Sequence, residues 1–325
     1  MKQIAIIGAG QLGSRHLQGL ARITIPAEIF IVEPNPENRV RAKERFHEMP
    51  INEVLKCNCE LDSIDNLPKE LDLVIISTNA DIRAKLAGEL ISKKSVKNII
   101  FEKVLFQLPE DYYFVKKMLN DTGVNAWVNC PRRTFKIYQD IKEFFDSKPV
   151  NLYLQGGNWG MGCNSIHFLD TMAYINGSCN LLSVNTDFLD NEILESKRKG
   201  YIEFTGKTIS TWENGAEQTL QSDLTSSLPP HIVFFNNTKR VVVHEHLKKA
   251  MFYSAESNWD PVEKSFEFPF QSQLTNLFAE DVLNHGHCEL ISFDESVKLH
   301  IKMIDAFIAH ASKITKKALN SCSIT

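Results

Sequence analysis

The sequence predicts an α/β chain: a doubly wound parallel sheet first, then an α+β domain with a large, mostly antiparallel, open sheet. Three observations predict it. Through about residue 125, short β-rich runs alternate with longer helical stretches, as βαβ units around a parallel sheet require. Past residue 150, strands follow one another with few helices between them, which suits an antiparallel sheet. A glycine-rich turn stands directly between the first strand run and the first helical stretch. We place the domains at 1–125 and 126–325, since 325 residues suffice for about two domains of roughly 100–200 residues.

Taken in order, the expected strands of the first part are 3–7, 28–32, 71–77, 98–101 and 125–129. Most are nearly all apolar, as strands covered on both faces should be. A helix is expected over 134–146, stopping at Ser147-Lys148-Pro149. Strands at 150–156, 201–213, 232–235 and 240–246 follow, separated by polar turns, while residues 181 to 230 offer no readable functional motif. Leu274, Leu277, Phe278 and Val282 then recur at helical spacing, with Gly286 placed to end that helix. Ser292 and Glu295 form a capping-box pattern ahead of a buried stripe of Val297, Ile301, Ile304 and Ile308.

Composition excludes several classes. The chain is 43% hydrophobic and 23% charged, with 36 Lys plus Arg against 40 Asp plus Glu, a formal charge of -4. No basic excess is present to neutralise a phosphate backbone, so nucleic acid is not the expected partner. The opening run MKQIAIIGAG is far shorter than the ~20 residues of a membrane helix and reads as a buried strand, so no membrane is expected. Seven scattered cysteines without paired CxxC motifs frame no zinc site and suit a reducing cytoplasm.

The strongest local motif is Gly8-Ala9-Gly10-Gln11-Leu12-Gly13. Gly8 permits a tight turn, Gly10 lets the backbone approach a pyrophosphate, and Gly13 allows close helix–strand packing. The helix start at Gln11 and Leu12 offers unpaired N–H groups and a positive dipole end to an anion. Glu33 follows Gly13 by 20 residues, where a carboxylate bonds adenosine ribose hydroxyls and repels a 2′-phosphate. NAD is therefore favoured. Asn35 and Arg39 lie close behind, and a nearby arginine can accept that phosphate, so NADP stays open.

These residues resemble the glucose–fructose oxidoreductase, inositol dehydrogenase and rhizopine-catabolism family, Gfo/Idh/MocA. GAGQLGSRHLQGL is similar to its first turn and helix, including His16. IISTNA, residues 75–80, resembles its Thr-Pro-Asn turn, with Asn79 directly after Thr78. Phe101-Glu102-Lys103-Val104 resembles its Glu-Lys-Pro signature, Arg133 and Tyr138 match the segment entering the second domain, and GGNWGMGCNSIHFLD, residues 156–170, resembles its glycine-rich stretch ending in His-x-x-Asp. The resemblance implies a Rossmann domain followed by a domain whose open sheet walls the substrate site and often pairs subunits, hence a homodimer or homotetramer. It implies NAD(P)-linked oxidation or reduction of a sugar, sugar acid, cyclitol or nucleotide sugar. It also assigns Thr78, Asn79 and Glu102 to the cofactor, Lys103 to proton transfer and His167 to partnering it.

That assignment makes chemical sense. Hydride transfer from an alcohol carbon leaves a carbonyl, so some group must take the hydroxyl proton, a step worth ~10²–10⁴-fold. Lys103 follows a strand's C-terminal end, where doubly wound sheets place ligands. A lysine there is otherwise a solvated charge, and His167, flanked by Ile166, Phe168 and Leu169, is otherwise a core histidine. Two departures stand out. Val104 replaces the family's proline, which should loosen the turn presenting Lys103. Cys163 occupies the position of an aspartate that many members carry, and a thiol is a weak hydrogen-bond partner; neighbouring Asn164 can bond substrate hydroxyls instead.

The remaining candidates carry two readings each. Trp159 stacks on a sugar ring or packs in the core, and Arg133 binds a substrate carboxylate or phosphate or makes a structural salt bridge. Asp170 reads as an acid in the first turns of a helix. His244-Glu245-His246 places two imidazoles on one face of an expected strand but lacks a third ligand, so no metal is expected. His285-Gly286-His287 reads as a helix end, and Cys57 and Cys59 as small buried side chains. Two rival functions fit the same residues: a nucleotide-sugar carbonyl or imine reductase using His167 alone as acid, and a non-catalytic nucleotide-binding sensor or assembly subunit.

Overall fold

The computed structural model describes residues 1–146 and 148–325, the side chain of Cys59 excepted. The expected helix stop at Ser147 and the inward reading of Cys59 therefore fall outside the described residues. Contacts divide the chain into two units, the first made of 1–106, 110–129 and 269–293, the second of 107–109, 130–268 and 294–325. The first unit thus takes in a late segment besides the amino-terminal residues.

In the first unit, strands β1 (Lys2–Ile7), β2 (Ala27–Val32), β3 (Leu55–Leu61), β4 (Leu73–Ile76), β5 (Asn98–Phe101) and β6 (Asn125–Val128) form one parallel sheet. Their order is β3-β2-β1-β4-β5-β6, with the short antiparallel strand Ile291–Ser292 beside β6. Strand order reverses at β1, so a crevice opens beyond its carboxyl end. Ile4, Ile6, Val74, Ile75 and Ile99 are completely buried. Each such side chain contributes about 1.5–3 kcal/mol by leaving water, which holds β1, β4 and β5 rigidly under the loops they carry. Helices α1 (Gln11–Leu20), α2 (Pro36–His47), α3 (Ala80–Lys93) and α4 (Pro109–Thr122) connect the strands. Asn35 caps α2, its side chain accepting from the Glu37 amide at 2.9 Å. The helix Gln271–His285 packs on α1, so closely that a Cβ on Gly19 would lie 2.8 Å from Thr275. Gly286, at φ 75°, ends it as expected, whereas Leu277 leaves the stripe and is 51% exposed.

The second unit holds helices α5 (Lys136–Phe145) and α6 (Met161–Asn176). Its sheet contains β7 (Asn151–Gly156), β8 (Leu181–Leu189), β9 (Gly206–Trp212), β10 (Glu217–Ser222), β11 (His231–Phe235), β12 (Lys239–His244), β13 (Lys249–Ser254) and β14 (Val262–Ser265). The order is β8-β9-β10-β7-β11-β12-β13-β14, antiparallel at every pair except β10 with β7. Leu152, Leu154, Ile232 and Phe234 line its packed face while alternate residues stay half-buried or exposed, the pattern of a sheet covered on one side.

Two strands here have no counterpart among those expected, and three expectations change. β8 and β10 lie within 181–230, and their polar sequences, LLSVNTDFL and EQTLQS, carry little apolar alternation to mark them. The long strand at 201–213 is interrupted before Gly206, whose φ of +97° and lack of a side chain let it lie against Phe188 and Leu189. The strand at 240–246 stops at His244, and Glu245–Leu247 form a 3₁₀ turn, so the two imidazoles do not share a strand face. The helix Phe293–Thr315 buries Val297, His300, Ile304, Phe307 and Ala311, leaving Ile301 and Ile308 half-buried. Among the described residues no helix is long and apolar enough to cross a membrane.

Candidate active site

The glycine turn follows β1 directly. Gly8 adopts φ +90°, a conformation open to glycine without strain. A Cβ on Gly13 would lie 1.8 Å from the Gly8 carbonyl oxygen, so helix and turn touch through bare backbone. Gly10 has nothing within 4 Å of its missing Cβ. It caps α1 without a side-chain hydrogen bond, leaving the first-turn N–H groups toward Gln11 and Leu12 to whatever anion enters. Gly8, Gly10, Glu33, Ser63, Thr78 and Asn79 all border a cleft of about 470 Å³. Thr78 places a buried hydroxyl there that has no hydrogen-bond partner among the described residues, and Asn79 caps α3. An open glycine, an uncapped helix start and an unsatisfied hydroxyl are what a dinucleotide phosphate needs, so these residues fit one. Glu33 is 7% exposed. Its Oε2 accepts the Ala9 amide at 2.7 Å and its Oε1 the Asn35 amide at 3.0 Å, so its carboxylate braces the turn.

Lys103 sits just past β5, on the edge of the sheet that also carries the glycine turn and the Thr78 turn. Val104, in the place of the family's proline, is fully buried. Arg83 of α3 donates to the carbonyls of Val104, Leu105 (2.9 Å) and Thr78, clamping the two turns together. Sequence reasoning missed Arg83. A signal existed: it lies at helical spacing within the buried stripe Ala80, Ala84 and Ala87, where an arginine must have a local purpose.

Glu102 is turned into the interior. Its Oε1 accepts from His16 Nε2 at 2.8 Å and Asn129 Nδ2 at 2.5 Å, and its Oε2 from the Lys103 amide at 3.2 Å. Burial pushes this carboxyl up, but His16, Asn129 and the Arg83 charge together hold it below the ordinary range. His16 Nδ1 meets Thr275 Oγ1 at 3.0 Å, and Asn129 bonds Gln271 at 2.9 Å. The partners come from 16, 129, 271 and 275, spacings no local pattern signals. Glu102 thus holds the backbone from which Lys103 projects, and Lys103 itself is half-buried.

In the second unit, α6 is buried almost all round. Cys163, Asn164 and His167 form a half-buried stripe along it, as i, i+1 and i+4 spacing dictates. Glu203, absent from the sequence-based candidates, is 5% exposed and accepts the amides of Gly162 (2.5 Å) and Cys163 (3.2 Å). A carboxylate therefore faces the start of α6, although the one expected on residue 163 is missing. A Cβ on Gly162 would lie 2.8 Å from Glu203 Oε2. Nothing in the run Ile202-Glu203-Phe204 marks that contact beforehand.

The remaining residues are placed as follows. The Arg133 fork meets Asp170 through three contacts of 2.6–3.2 Å. Asp170 lies deep in α6, not in its first turns, and is fully buried; burial pushes it up to about 6, with Arg133 pulling it down and Glu295 raising it. Trp159 donates to the Gln221 carbonyl at 2.8 Å and packs edge-on against Phe168; Asn164 donates to the Trp159 carbonyl at 2.9 Å. Glu245 turns inward, pairing with Arg132 and accepting from Tyr138 at 2.8 Å.

Residues 2–130 match the model of an oxidoreductase family with an NAD-binding Rossmann fold, GFO_IDH_MocA. No curated protein matches the chain in sequence. Solved structures share its fold nearly end to end. Levoglucosan dehydrogenase, in complex with NADH, is 16% identical, with 96% of this chain and 97% of that one covered and a TM-score of 0.72. UDP-N-acetylglucosamine 3-dehydrogenase from Acidithiobacillus ferrooxidans is 16% identical over 95% and 98%, at 0.70. An oxidoreductase from Agrobacterium radiobacter, in complex with NAD+, L-tartaric acid and magnesium, is 14% identical over 96% and 97%, at 0.73.

Proposed function

We propose, from the match of residues 2–130 to the Gfo/Idh/MocA oxidoreductase family with its NAD-binding Rossmann fold, that the chain is a dehydrogenase or reductase acting on a CH–OH group of a carbohydrate-type substrate. A nicotinamide dinucleotide held in the cleft exchanges hydride with the substrate carbon. Gly8, Gly10, Gln11 and Leu12 receive its pyrophosphate while Gly13 seats the helix on the turn, Glu33 faces its ribose, and Thr78 and Asn79 border it. Lys103 takes or returns the hydroxyl proton, Glu102 positions Lys103, and His167 serves as the second acid–base group. Trp159 and Asn164 contact substrate. Arg133, its fork filled by Asp170, acts through the structure instead.

The observation that carries this reading is the fixed presentation of Lys103. Glu102 holds its amide and Arg83 the carbonyls just after it, on the sheet edge that bears the glycine turn. Preorganisation of this kind is what proton transfer in step with hydride loss requires. The sugar-type substrates named for two of the structural neighbours support the substrate class. We also read the protein as cytoplasmic and as a homodimer or homotetramer, which equilibrium sedimentation tests.

The decisive experiment follows nicotinamide absorbance against sugars, sugar acids, cyclitols and nucleotide sugars. A saturable, substrate-dependent change is expected. Lys103→Met should then lower turnover at least about a hundredfold, roughly 2.7 kcal/mol, with NADH affinity kept. Undiminished turnover removes Lys103 from the mechanism, and tight NADH binding with no turnover across the panel favours a sensor.

A further inference from the structure

Residues 316–325 follow the helix Phe293–Thr315 and form neither helix nor strand. Irregular backbone ordinarily lies on the surface, where water satisfies its polar groups. Here Cys322 and Ile324 are completely buried and Thr325 nearly so. Protein takes the place of water. The Cys322 amide donates to the Gln107 carbonyl at 3.0 Å, Gln107 Nε2 donates to the Ile324 carbonyl at 3.0 Å, and the Ile202 amide donates to the Ser323 carbonyl at 2.8 Å. Gln107 thus grips the segment at both ends and Ile202 grips its middle, all within the second unit.

What this segment meets is the start of α6. A Cβ on Gly162 would lie 3.0 Å from Ile324 Cγ2, 2.8 Å from Glu203 Oε2 and 3.4 Å from Phe204 Cδ2. Only a residue without a side chain lets all three approach. Glu203 accepts the Gly162 and Cys163 amides, and the residue before it, Ile202, is the one bonded to Ser323. Burial and the Glu203 charge push the Cys322 thiol up to about 12, so it stays neutral and brings no second anion to those amides. A helix start whose N–H groups lack partners is free to fray. This packing therefore fixes where the half-buried stripe of Cys163, Asn164 and His167 begins.

We propose that residues 322–325, gripped by Gln107 and led by Ile324, are a wedge that positions α6, so that Asn164 and His167 meet substrate in one geometry. The inference rests on the reading of Asn164 and His167 as substrate-side groups. It adds Gln107 and Ile324 as positioning residues, which act through the start of α6 and touch neither substrate nor cofactor. Such support matters because a misplacement of about 1 Å at a reacting group can cost ~10²-fold in rate. None of the described residues lining the first unit's cleft belongs to the wedge, so NADH affinity is expected to be independent of it.

Hydrogen exchange of the full chain, read peptide by peptide, and iodoacetamide labelling of Cys163 test the wedge without any substrate. Ile324→Ala should speed both exchange at Gly162 and Cys163 and labelling of Cys163 about tenfold, with exchange over 168–176 and in β1 unchanged. Ile324→Val should restore most of the protection. Gln107→Ala, which leaves the packed side chain in place, should act in the same direction and carries the test if Ile324→Ala does not fold. Against a substrate that the unmodified chain turns over, Ile324→Ala should lower kcat/KM about tenfold with NADH affinity kept. A lowered unfolding midpoint with these local rates and kcat/KM unmoved overturns the wedge, because a segment that only adds stability would give that result. Absence of turnover by the unmodified chain instead overturns the functional reading beneath it, and exchange and labelling still decide the wedge.

Discussion

Two glycine-rich segments, 8–13 in the first unit and 156–162 in the second, look alike as sequence and do different work. In the first, Gly13 is filled by the backbone of Gly8 while Gly10 faces open space. In the second, every glycine meets the protein itself. Gly156 abuts Pro230, a Cβ on Gly157 would lie 2.2 Å from the Ser226 carbonyl oxygen, Gly160 takes φ +76° and Gly162 makes room for Glu203. A glycine signals a ligand only where its missing side chain leaves space; elsewhere it records a close approach of backbone. The first segment thus leaves room at Gly10 for the ligand proposed above, and the second is packed against the protein where α6 begins.

Substitutions can break this contrast. Gly13→Ala should have the largest effect, at least about 3 kcal/mol of lost stability, because its Cβ would lie 1.8 Å from a backbone oxygen that cannot rotate away. Thermal unfolding checks it, and a stable, NADH-binding variant would mean the turn is looser than described. Gly10→Ala should leave the unfolding midpoint unchanged yet weaken NADH about tenfold, since only a ligand would meet the new methyl group. Unchanged affinity would deny Gly10 its role as a receptor. In the second segment, Glu203→Gln should cost about 1–2 kcal/mol, as two amides and a helix start lose their anion. Denaturant unfolding measures this, and no loss would show that the glycines there accommodate nothing of consequence.

The smallest expected effect sharpens the contrast by pH. Each unit buries a carboxylate: burial raises both, but at Glu102 the partners His16, Asn129 and Arg83 outweigh it, whereas at Asp170 burial outweighs Arg133. Glu102 is held below its ordinary range, so the stability it contributes is present above the unfolded-state value and fades as pH falls through the folded one. Asp170 is pushed up to about 6, so its contribution is complete in acid and is lost as pH rises through about 6. Glu102→Gln and Asp170→Asn should therefore change the slope of unfolding temperature against pH with opposite signs. Changes of the same sign would show that the balance of burial against partners is the same at both groups.

Much of the first unit was legible beforehand because its signals are local. Apolar runs mark β1, β2, β4, β5 and β6, the glycines lie within six consecutive residues, and Gly286 ends its helix in the conformation its lack of a side chain allows. The second sheet was less legible. β8 and β10 are half-exposed and polar, so cross-strand pairing, not hydrophobic alternation, sustains them.

By itself the sequence determined which segments are buried strands, where a glycine turn joins the first strand to the first helix, and that Lys103 follows a strand end, all consequences of side-chain type at neighbouring positions. Only the tertiary structure decided that Glu102 supports Lys103 instead of facing outward, that Arg83 steadies the turn despite Val104, that Asp170 engages Arg133, and that Glu203 supplies the start of α6 with a carboxylate. The reason is that a buried polar group must find its partner wherever the fold brings one within about 3 Å, and those partners lie from 1 to 86 residues away along the chain.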